Sequence, residues 1–232
     1  MPTKRTKRSK ANEALIPAEA LPANEAIAAL RKFSAPKFDQ SVEIAMFLGI
    51  DTRQADQNLR GSVSLPNGIG KSKRVVAFCQ SDVVKDALAA GAIKAGGEEL
   101  VQEITAGWMD FDVAVASPDM MRVMSTLGKV LGPKGLMPSP KNGTVTPRVA
   151  EAVAEFAAGK VEFRADKAGN VHAVIGKFSF DDKSLLENLE HFVQTIEKAK
   201  PSSVKGIYIK KISVSGTMTP GVQIAYSTGE TA

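Results

Sequence analysis

Leu65-Pro66-Asn67-Gly68-Ile69-Gly70 separates two different hydrophobic patterns in this 232-residue chain. Before it, apolar residues recur at every second position from Val42 to Leu48, which is the period of a strand with one buried face. After it, the uninterrupted run Val75-Val76-Ala77-Phe78 is typical of a strand buried on both faces of a parallel sheet. Proline and glycine at the junction favour a loop or a hinge. The sequence therefore predicts a change of fold class at this point.

The region that follows the junction alternates short apolar runs with helical patterns. A second fully apolar run, Val113–Ala116, comes after helical patterns over residues 82–90 and 98–106. A segment rich in glycine and proline, residues 131–143, leads into a helix that ends at Ala158. Strands that alternate with helices predict a parallel sheet covered by helices, which is the doubly wound, Rossmann-like α/β arrangement.

The alternating pattern returns later in the chain. Strands predicted at residues 161–163 and 171–175 flank a polar turn, so we expect them to pair as a hairpin. Residues 184–199 form the clearest helical pattern, with Ser184 and Glu187 as a capping box. The same patterns predict a helix that Asn24 caps and that ends before Pro36, and strands at 42–48, 62–65, 206–214 and 222–225.

These patterns predict a mixed α/β and α+β protein of two domains. A discontinuous antiparallel α+β domain comprises residues 1–67 and 160–232, and an inserted Rossmann-like α/β domain comprises residues 68–159. The two chain crossings form a double hinge in this interpretation. The predicted hinge residues are Pro66, Gly68, Gly70 and Gly159.

The composition is that of a soluble globular protein, with 44% hydrophobic and 24% charged residues. No apolar stretch approaches the roughly 18 residues that a membrane helix needs, and no apolar core follows the basic start as it does in a signal peptide. The single cysteine, Cys79, excludes an intramolecular disulfide and suits a reducing compartment. We therefore expect a cytoplasmic protein that does not contact a membrane.

The positive charge is concentrated at the start of the chain. The net charge is +5, and the first ten residues contain five basic side chains and no acidic one, which accounts for the whole excess. Such a segment either attracts a polyanion by its charge or is a terminal segment that keeps the protein in solution. Residues 1–20 are predicted as a flexible basic tail, whose order the sequence leaves open.

Apparent catalytic motifs fail on their context. Gly68-Ile69-Gly70-Lys71-Ser72 resembles the end of a P-loop, but Leu65 stands where that motif needs glycine, and a strand follows in place of a helix. The turn at residues 80–82 contains no glycine and so lacks a dinucleotide fingerprint. The two histidines, His172 and His191, have no partner at metal-ligand spacing. We expect no catalytic residue, no metal and no cofactor.

Several local features suit binding better than catalysis. Lys37-Phe38-Asp39 is either a core anchor or a stacking surface beside a cation. The turn at residues 164–170 offers cations, a carboxylate and an amide, and the turn at 215–221 offers hydroxyls and glycines for close approach to a ribose or phosphate. His172 either packs within its strand or contacts a ligand. Lysines that either extend this footprint or cover a solvated strand edge are Lys205, Lys210 and Lys211.

Seven stretches of the chain, in order, resemble the family of the large-subunit ribosomal protein L-one, the protein of the mobile stalk beside the tRNA exit site. They extend from Lys37 to Ala225, which is nearly the whole chain, and their common order makes the resemblance specific. The stretches are residues 37–43, 56–61, 65–71, 107–112, 131–145 and 159–164, and Thr217-Met218.

The resemblance implies a structural constituent of the large ribosomal subunit and not an enzyme. It implies that the first domain binds the stalk region of large-subunit rRNA and that the inserted domain moves about the hinge. Further implied partners are exit-site tRNA, whose release after deacylation the protein assists, and its own operon mRNA, whose translation it represses. A monomer is implied away from the ribosome. Carried onto this chain, the RNA-binding residues are Lys37, Phe38, Ser41, Arg164, Asp166, Lys167, His172, Lys177, Ser179, Ser215, Gly216, Thr217, Met218, Thr219 and Pro220.

The chain departs from the family pattern beside Thr217-Met218. Family members commonly have a hydroxyl residue before this pair and glycine after it, whereas here Gly216 precedes and Thr219 follows. A β-branched threonine tolerates a positive φ poorly. We therefore expect either a different turn geometry or strain that Gly216 and Gly221 absorb.

Two other interpretations stay open on the sequence. One is a regulator whose main target is messenger RNA. The other is an α/β enzyme in which Lys71, Lys134 and Lys141 hold an anionic substrate in a crevice between the two domains.

Overall fold

A computed structural model describes residues 6–54 and 56–226 of the chain. Their contacts group into two compact units, one made of the residues up to Gly70 and from Phe163 onward, the other of Lys71–Glu162. These boundaries lie a few residues beyond the predicted domain boundaries, and the existence of two independent domains stays a prediction. Both units contain helices and sheet strands, so the mixed α/β class is confirmed.

The elements are numbered here in chain order. The helices are α1 (Lys7–Glu13), α2 (Ala23–Lys32), α3 (Ser81–Ala89), α4 (Glu98–Thr105), α5 (Met121–Met124), α6 (Gly128–Leu131), α7 (Val149–Ala157) and α8 (Asp182–Lys198). The strands are β1 (Ser41–Leu48), β2 (Arg60–Val63), β3 (Val75–Phe78), β4 (Lys94–Gly96), β5 (Val113–Ala116), β6 (Val161–Arg164), β7 (Asn170–Lys177), β8 (Ile209–Gly216) and β9 (Val222–Ile224).

The first unit is built on a four-stranded antiparallel sheet with the strand order β7-β1-β8-β9. Side chains alternate between the faces of a strand, so Val42, Ile44, Met46 and Leu48 of β1 all point to one face, where α2 and α8 pack. Fully buried side chains such as Ile44, Met46 and Phe192 contribute roughly 1.5–3 kcal/mol each to this core. The opposite face, called here the open face, presents the exposed side chains Glu43 and Phe47.

The predicted hairpin of residues 161–163 with 171–175 is wrong. β7 pairs with β1, and β6 pairs with β2 in a separate two-stranded sheet. The chain does turn between them, but only a single antiparallel bridge, Ala165↔Val171, joins the two sides. The cause is nonlocal, because β1 forms a longer ladder of backbone hydrogen bonds with β7 than the four-residue β6 can form.

Three predictions at helix starts are also corrected. α2 is capped by Pro22 and not by Asn24, and α8 begins after Asp181, so Ser184 and Glu187 form no capping box. The Glu187 carboxylate instead accepts a hydrogen bond from the Asn67 side chain at 2.8 Å.

The segment predicted as a flexible tail contains a helix. Residues 1–5 lie outside the described chain, but Lys7–Glu13 form α1, and the Thr6 hydroxyl caps it by accepting a hydrogen bond from the Ser9 amide at 3.2 Å. The Asn12 side chain is buried and makes two hydrogen bonds with the Ser34 backbone, at 3.1 and 2.8 Å. These bonds hold α1 against the end of α2.

The second unit contains a three-stranded parallel sheet with the order β4-β3-β5. Every residue of β3 and β5 is buried, because helices cover both faces. Phe156 of α7 lies in the core on one face, and Leu100, Met124 and Leu131 lie in the core on the other. No helix in the described part of the chain is long and apolar enough to cross a membrane.

Candidate nucleic-acid interface

Three loops meet at one end of the four-stranded sheet. β1 begins where β7 and β8 end, since Ser41 is paired with Lys177 and Val42 with Gly216. This register brings together most of the predicted RNA-binding residues from three distant parts of the sequence. The loop surface, as it is called below, consists of Lys37, Phe38, Ser41, Lys177, Ser179, Ser215, Gly216, Thr217, Met218, Thr219 and Pro220.

Asp39 ties the first loop to the second. Its carboxylate accepts hydrogen bonds from the Ser179 amide at 3.0 Å and from the Ser179 hydroxyl at 2.9 Å, and the Lys177 ammonium lies 4.0 Å away. Arg31 of α2 holds the same loop from the other side, because its guanidinium donates to the carbonyls of Phe178 and Phe180 and pairs with Asp182 at 3.0 Å. The backbone beside Ser179 is therefore fixed before any ligand binds.

Gln40 ties the first loop to the third. It is 1% exposed, its side-chain oxygen accepts a hydrogen bond from the Met218 amide at 2.8 Å, and its carbonyl accepts one from the Phe178 amide at 2.9 Å. Its Nε2 has no partner among the described residues. Neither Gln40 nor Arg31 is among the residues predicted to bind RNA. Gln40 lies within the stretch 37–43 that carries the family resemblance, whereas nothing in the sequence marks Arg31.

The turn around Thr217 and Met218 is unstrained. The Thr219 amide donates to the Gly216 carbonyl at 3.1 Å, and the Thr219 hydroxyl accepts from the Gly216 amide at 2.9 Å. No residue other than glycine has a positive φ in the described chain, and Gly216 and Gly221 do not have one either. Of the two alternatives for Thr219, strain absorbed by these glycines is therefore excluded, because the threonine has no positive φ.

The glycine at position 216 has a packing reason. A Cβ atom there would lie 2.5 Å from the Phe178 ring and 2.7 Å from the Thr219 hydroxyl. A hydroxyl residue at this position, as in the family pattern, is incompatible with that close approach. The missing side chain at Gly216 thus leaves the space that the Thr219 hydroxyl occupies in this chain.

The exposed part of the loop surface combines apolar and hydrogen-bonding groups. Phe38 is 50% exposed and Met218 is 55% exposed, and Thr217 holds Ser41 by hydrogen bonds in both directions. Lys37 stands beside Phe38 and is also exposed. An aromatic ring, a thioether and hydroxyls beside a cation are groups that stack on bases and bind riboses and phosphates.

Helix α1 places one basic residue, Arg8, beside this surface. Arg8 and Ser9 of α1 line a cleft of about 430 Å³ together with Met218, Thr219 and Pro220. The Asn12 bonds described above fix the helix at this place. Arg8 is therefore held beside the predicted site, and Glu13 of the same helix lines the same cleft.

Arg164, Asp166 and Lys167 do not join the loop surface. They lie before β7, at the opposite end of the sheet, and the eight residues of β7 span about 23 Å. Hydrogen bonds from the side chain and the backbone of Asn170 lower the pKa of the Asp166 carboxyl, and they close the turn. The Lys167 carbonyl accepts a hydrogen bond from the Thr52 hydroxyl at 2.8 Å.

His172 lies between the two groups. It is exposed and stands opposite Ala45, so it belongs to the open face. The predicted site therefore divides into the loop surface, the turn at residues 164–170, and a histidine on the face that joins them.

The predicted hinge residues are held within the units. Asn188 of α8 is fully buried, and it bonds the Asn67 amide at 3.0 Å and the Gly68 carbonyl at 2.9 Å. A Cβ at Gly70 would lie 2.8 Å from the Phe180 ring, so this glycine is packed against the first unit. Pro66 belongs to the same segment, and Gly159 follows α7 with a positive φ of 104°. The hinge itself stays a prediction.

The residues that raised the P-loop and anionic-substrate interpretations are placed as follows. Gly68 and Gly70 have positive φ values, but β3 and not a helix follows them along the chain, as the sequence predicted. Lys71, Lys134 and Lys141 are exposed. Within the described ranges, no group of three or more His, Cys, Asp or Glu side chains is arranged to hold a metal ion.

Comparison with known families accounts for this arrangement. The family model described as "Ribosomal protein L1p/L10e family" matches residues 30–220 of the 232, and so includes β1, all three loops and the second unit. The match covers well over half of the chain. The chain therefore belongs to the ribosomal protein L1p/L10e family, whose members are structural proteins of the large ribosomal subunit that bind ribosomal RNA.

Proposed function

We propose that this protein binds the stalk region of large-subunit ribosomal RNA through the loop surface. The observation that carries the proposal is the exposed pair Thr217 and Met218 on a turn that Gln40 and Ser41 hold by hydrogen bonds. A surface that is ordered before binding loses little conformational entropy on association. It is suited to the recognition of a folded RNA by shape.

Each group on the surface has a distinct role in the proposal. Phe38 and Met218 pack against an unstacked base or a ribose, and Ser179 and Thr217 bond 2′-hydroxyls. Lys37, Lys177 and Arg8 neutralise phosphates, which makes the affinity dependent on salt. The more distant Arg164 and Lys167 contact phosphates of a second segment of the same RNA.

Further roles rest on family membership and on the shared chemistry of the ligands. A surface that reads the shape of the stalk RNA also binds a messenger segment of the same shape, so we propose that the protein represses translation of its own operon mRNA. We also propose that it works in the cytoplasm on the ribosome, where it assists the release of deacylated tRNA from the exit site. The inserted unit moves about the two chain crossings in this proposal.

The first test measures affinity for a transcript of the stalk region against a scrambled hairpin, over a range of salt concentrations. Thr217→Ala and Met218→Ala are each expected to weaken stalk binding by about 1–3 kcal/mol. Thr126→Ala is the matched control, since Thr126 is exposed in the second unit and its hydroxyl donates to the Val123 carbonyl three residues earlier. It should bind like the wild type.

Equal, weak and steeply salt-dependent binding to both RNAs would refute the proposal, because the basic residues alone would then explain the affinity. If the stalk transcript is bound selectively, the same variants tested on the leader of the protein's own operon mRNA decide the regulatory role. Loss of repression in Thr217→Ala supports it, and unchanged repression contradicts it.

A further inference from the structure

The open face carries an exposed aromatic ring at the end remote from the loop surface. Phe47 of β1 is 39% exposed, and its cross-strand neighbours are Asn170 on β7 and Lys211 on β8. Six residues of β1 separate Phe47 from Ser41, which is about 20 Å along the strand. This position is thus well separated from the Thr217 turn.

An irregularity in β8 brings a second lysine to the ring. The pairing of β1 with β8 shifts register between Phe47 and Leu48, so that Lys210 and Lys211 are both exposed between the buried residues Ile209 and Ile212. In a regular strand, one of two consecutive side chains would point to the helix-covered face. The Lys210 ammonium lies 5.1 Å from the centre of the Phe47 ring, so the bulge turns this cation toward the aromatic side chain.

One carboxylate borders this cluster, because Asp166 accepts a hydrogen bond from the Asn170 side chain at 3.0 Å. Neither lysine forms an ion pair with a carboxylate within the described ranges. Glu43, the acidic residue of β1, is four residues from Phe47 on the same face, or about 13 Å. A polyanion therefore meets two cations beside an exposed ring at this end of the face.

We propose that Phe47, Lys210, Lys211, Asn170 and His172 form a second RNA contact, called the open-face patch, which is separate from the loop surface. The Phe47 ring takes an unpaired base by stacking, and the two lysines bind the flanking phosphates. His172 and the side-chain oxygen of Asn170, whose NH2 group bonds Asp166, offer hydrogen bonds to the base or ribose. The proposal rests on the proposed binding of RNA and adds to it a site for unpaired nucleotides.

The chemistry of the patch favours RNA over an apolar protein partner. One ring and the small side chain of Ala45 make too little apolar area for a protein-binding core, and lysine is depleted in such cores. An aromatic platform beside cations on an antiparallel sheet is instead the arrangement that binds single-stranded nucleic acid.

The test uses two transcripts of the stalk region, one trimmed to its paired and looped core and one that keeps unpaired flanking nucleotides. The wild type should bind the flanked transcript more tightly. Phe47→Leu, which keeps an apolar side chain, should weaken binding of the flanked transcript about tenfold and leave the trimmed one unchanged. Phe47→Tyr should restore the wild-type affinity, since tyrosine also stacks. Phe38→Leu is the matched control on the loop surface and should weaken both transcripts.

Three results would overturn the inference: flanking nucleotides that add no affinity, a Phe47→Leu variant that binds both transcripts like the wild type, or one that weakens both equally. Unfolding temperatures of all variants exclude a folding defect. Failure of the proposed function gives a different result. Thr217→Ala and Phe38→Leu would then leave the affinity for the trimmed transcript unchanged, while Phe47→Leu would still weaken binding of the flanked transcript. Crosslinking from photoreactive uridine in the flank to the β1 peptide adds direct support.

Discussion

Tyr208 is a single residue whose burial has a measurable consequence. Its side chain is almost fully buried, and its hydroxyl has no hydrogen-bond partner among the described residues. Burial in apolar surroundings disfavours the tyrosinate and raises the pKa of Tyr208 from 10.0 to about 12. Because the folded-state pKa is raised, the stability that this group contributes is complete below pH 10 and is lost as the pH rises to about 12.

Tyr208→Phe should remove this alkaline component. At neutral pH we expect the variant to be within about 1 kcal/mol of the wild type or more stable, because no hydrogen bond is lost with the hydroxyl. Above pH 10 it should lose less stability than the wild type. Denaturant unfolding at a series of pH values measures both effects, and Tyr226→Phe is the control at the other tyrosine. An identical pH profile for Tyr208→Phe and the wild type would contradict the burial argument.

Helix α1 is the element whose position depends most on one side chain. Asn12 is the buried residue of this seven-residue helix, and its two bonds to Ser34 connect α1 with the rest of the first unit. An isolated helix of this length is not stable in water. The placement of Arg8 beside Met218 therefore depends on Asn12.

Asn12→Ala should release α1 and lower the affinity for RNA. We expect a loss of about 1–3 kcal/mol in stability, since the Ser34 backbone groups lose their partner, and a weaker RNA affinity at low salt. The difference from the wild type should shrink at high salt, because the lost contribution is electrostatic. Ala11→Ser, an exposed change in the same helix, is the control. Unchanged affinity in Asn12→Ala at low salt would show that α1 does not serve the interface.

At the scale of helices and strands, a local sequence pattern predicts the element itself but not the partner that it packs against. The period-two pattern of β1, the apolar runs of β3 and β5 and the amphipathic α8 were predictable, because burial of one face or of both faces leaves a local pattern. The pairing of β7 with β1 was not, because a strand's partner is chosen by nonlocal complementarity. α1 was missed because its anchor, Asn12, is a polar residue without any local pattern.

The arrangement of the candidate site was not predictable from the sequence, and the binding role of its residues stays a prediction. The loops that carry Ser179, Thr217 and Met218 all bond the segment from Asp39 to Ser41, so these residues lie on the loop surface at one end of the sheet. The distance between this surface and the Arg164 turn follows from the length of β7 and the strand order, which no local pattern encodes. Gln40 looks like any polar loop residue until its burial is known.

At the scale of the whole molecule, the two units have separate hydrophobic cores. Phe156 is fully buried in the second unit, on one face of the parallel sheet. Phe192 is fully buried in the first unit, where its ring packs edge-on against Phe163 with the ring centres 5.8 Å apart. The residues proposed to bind RNA all belong to the first unit. A defect in the core of the first unit should therefore affect RNA binding, and a defect in the core of the second unit should not.

Phe156→Ala and Phe192→Ala test this division with the same chemical change. Each should cost about 3–5 kcal/mol in its own unit, because a large buried ring leaves a cavity. Phe156→Ala should keep the wild-type affinity for the stalk transcript at moderate temperature, although its second unit unfolds earlier in a thermal scan. Phe192→Ala should lose affinity at the temperature where the first unit unfolds. Parallel loss of RNA binding in both variants would mean that the units fold as one cooperative body, and that the inserted unit contributes directly to the fold of the interface.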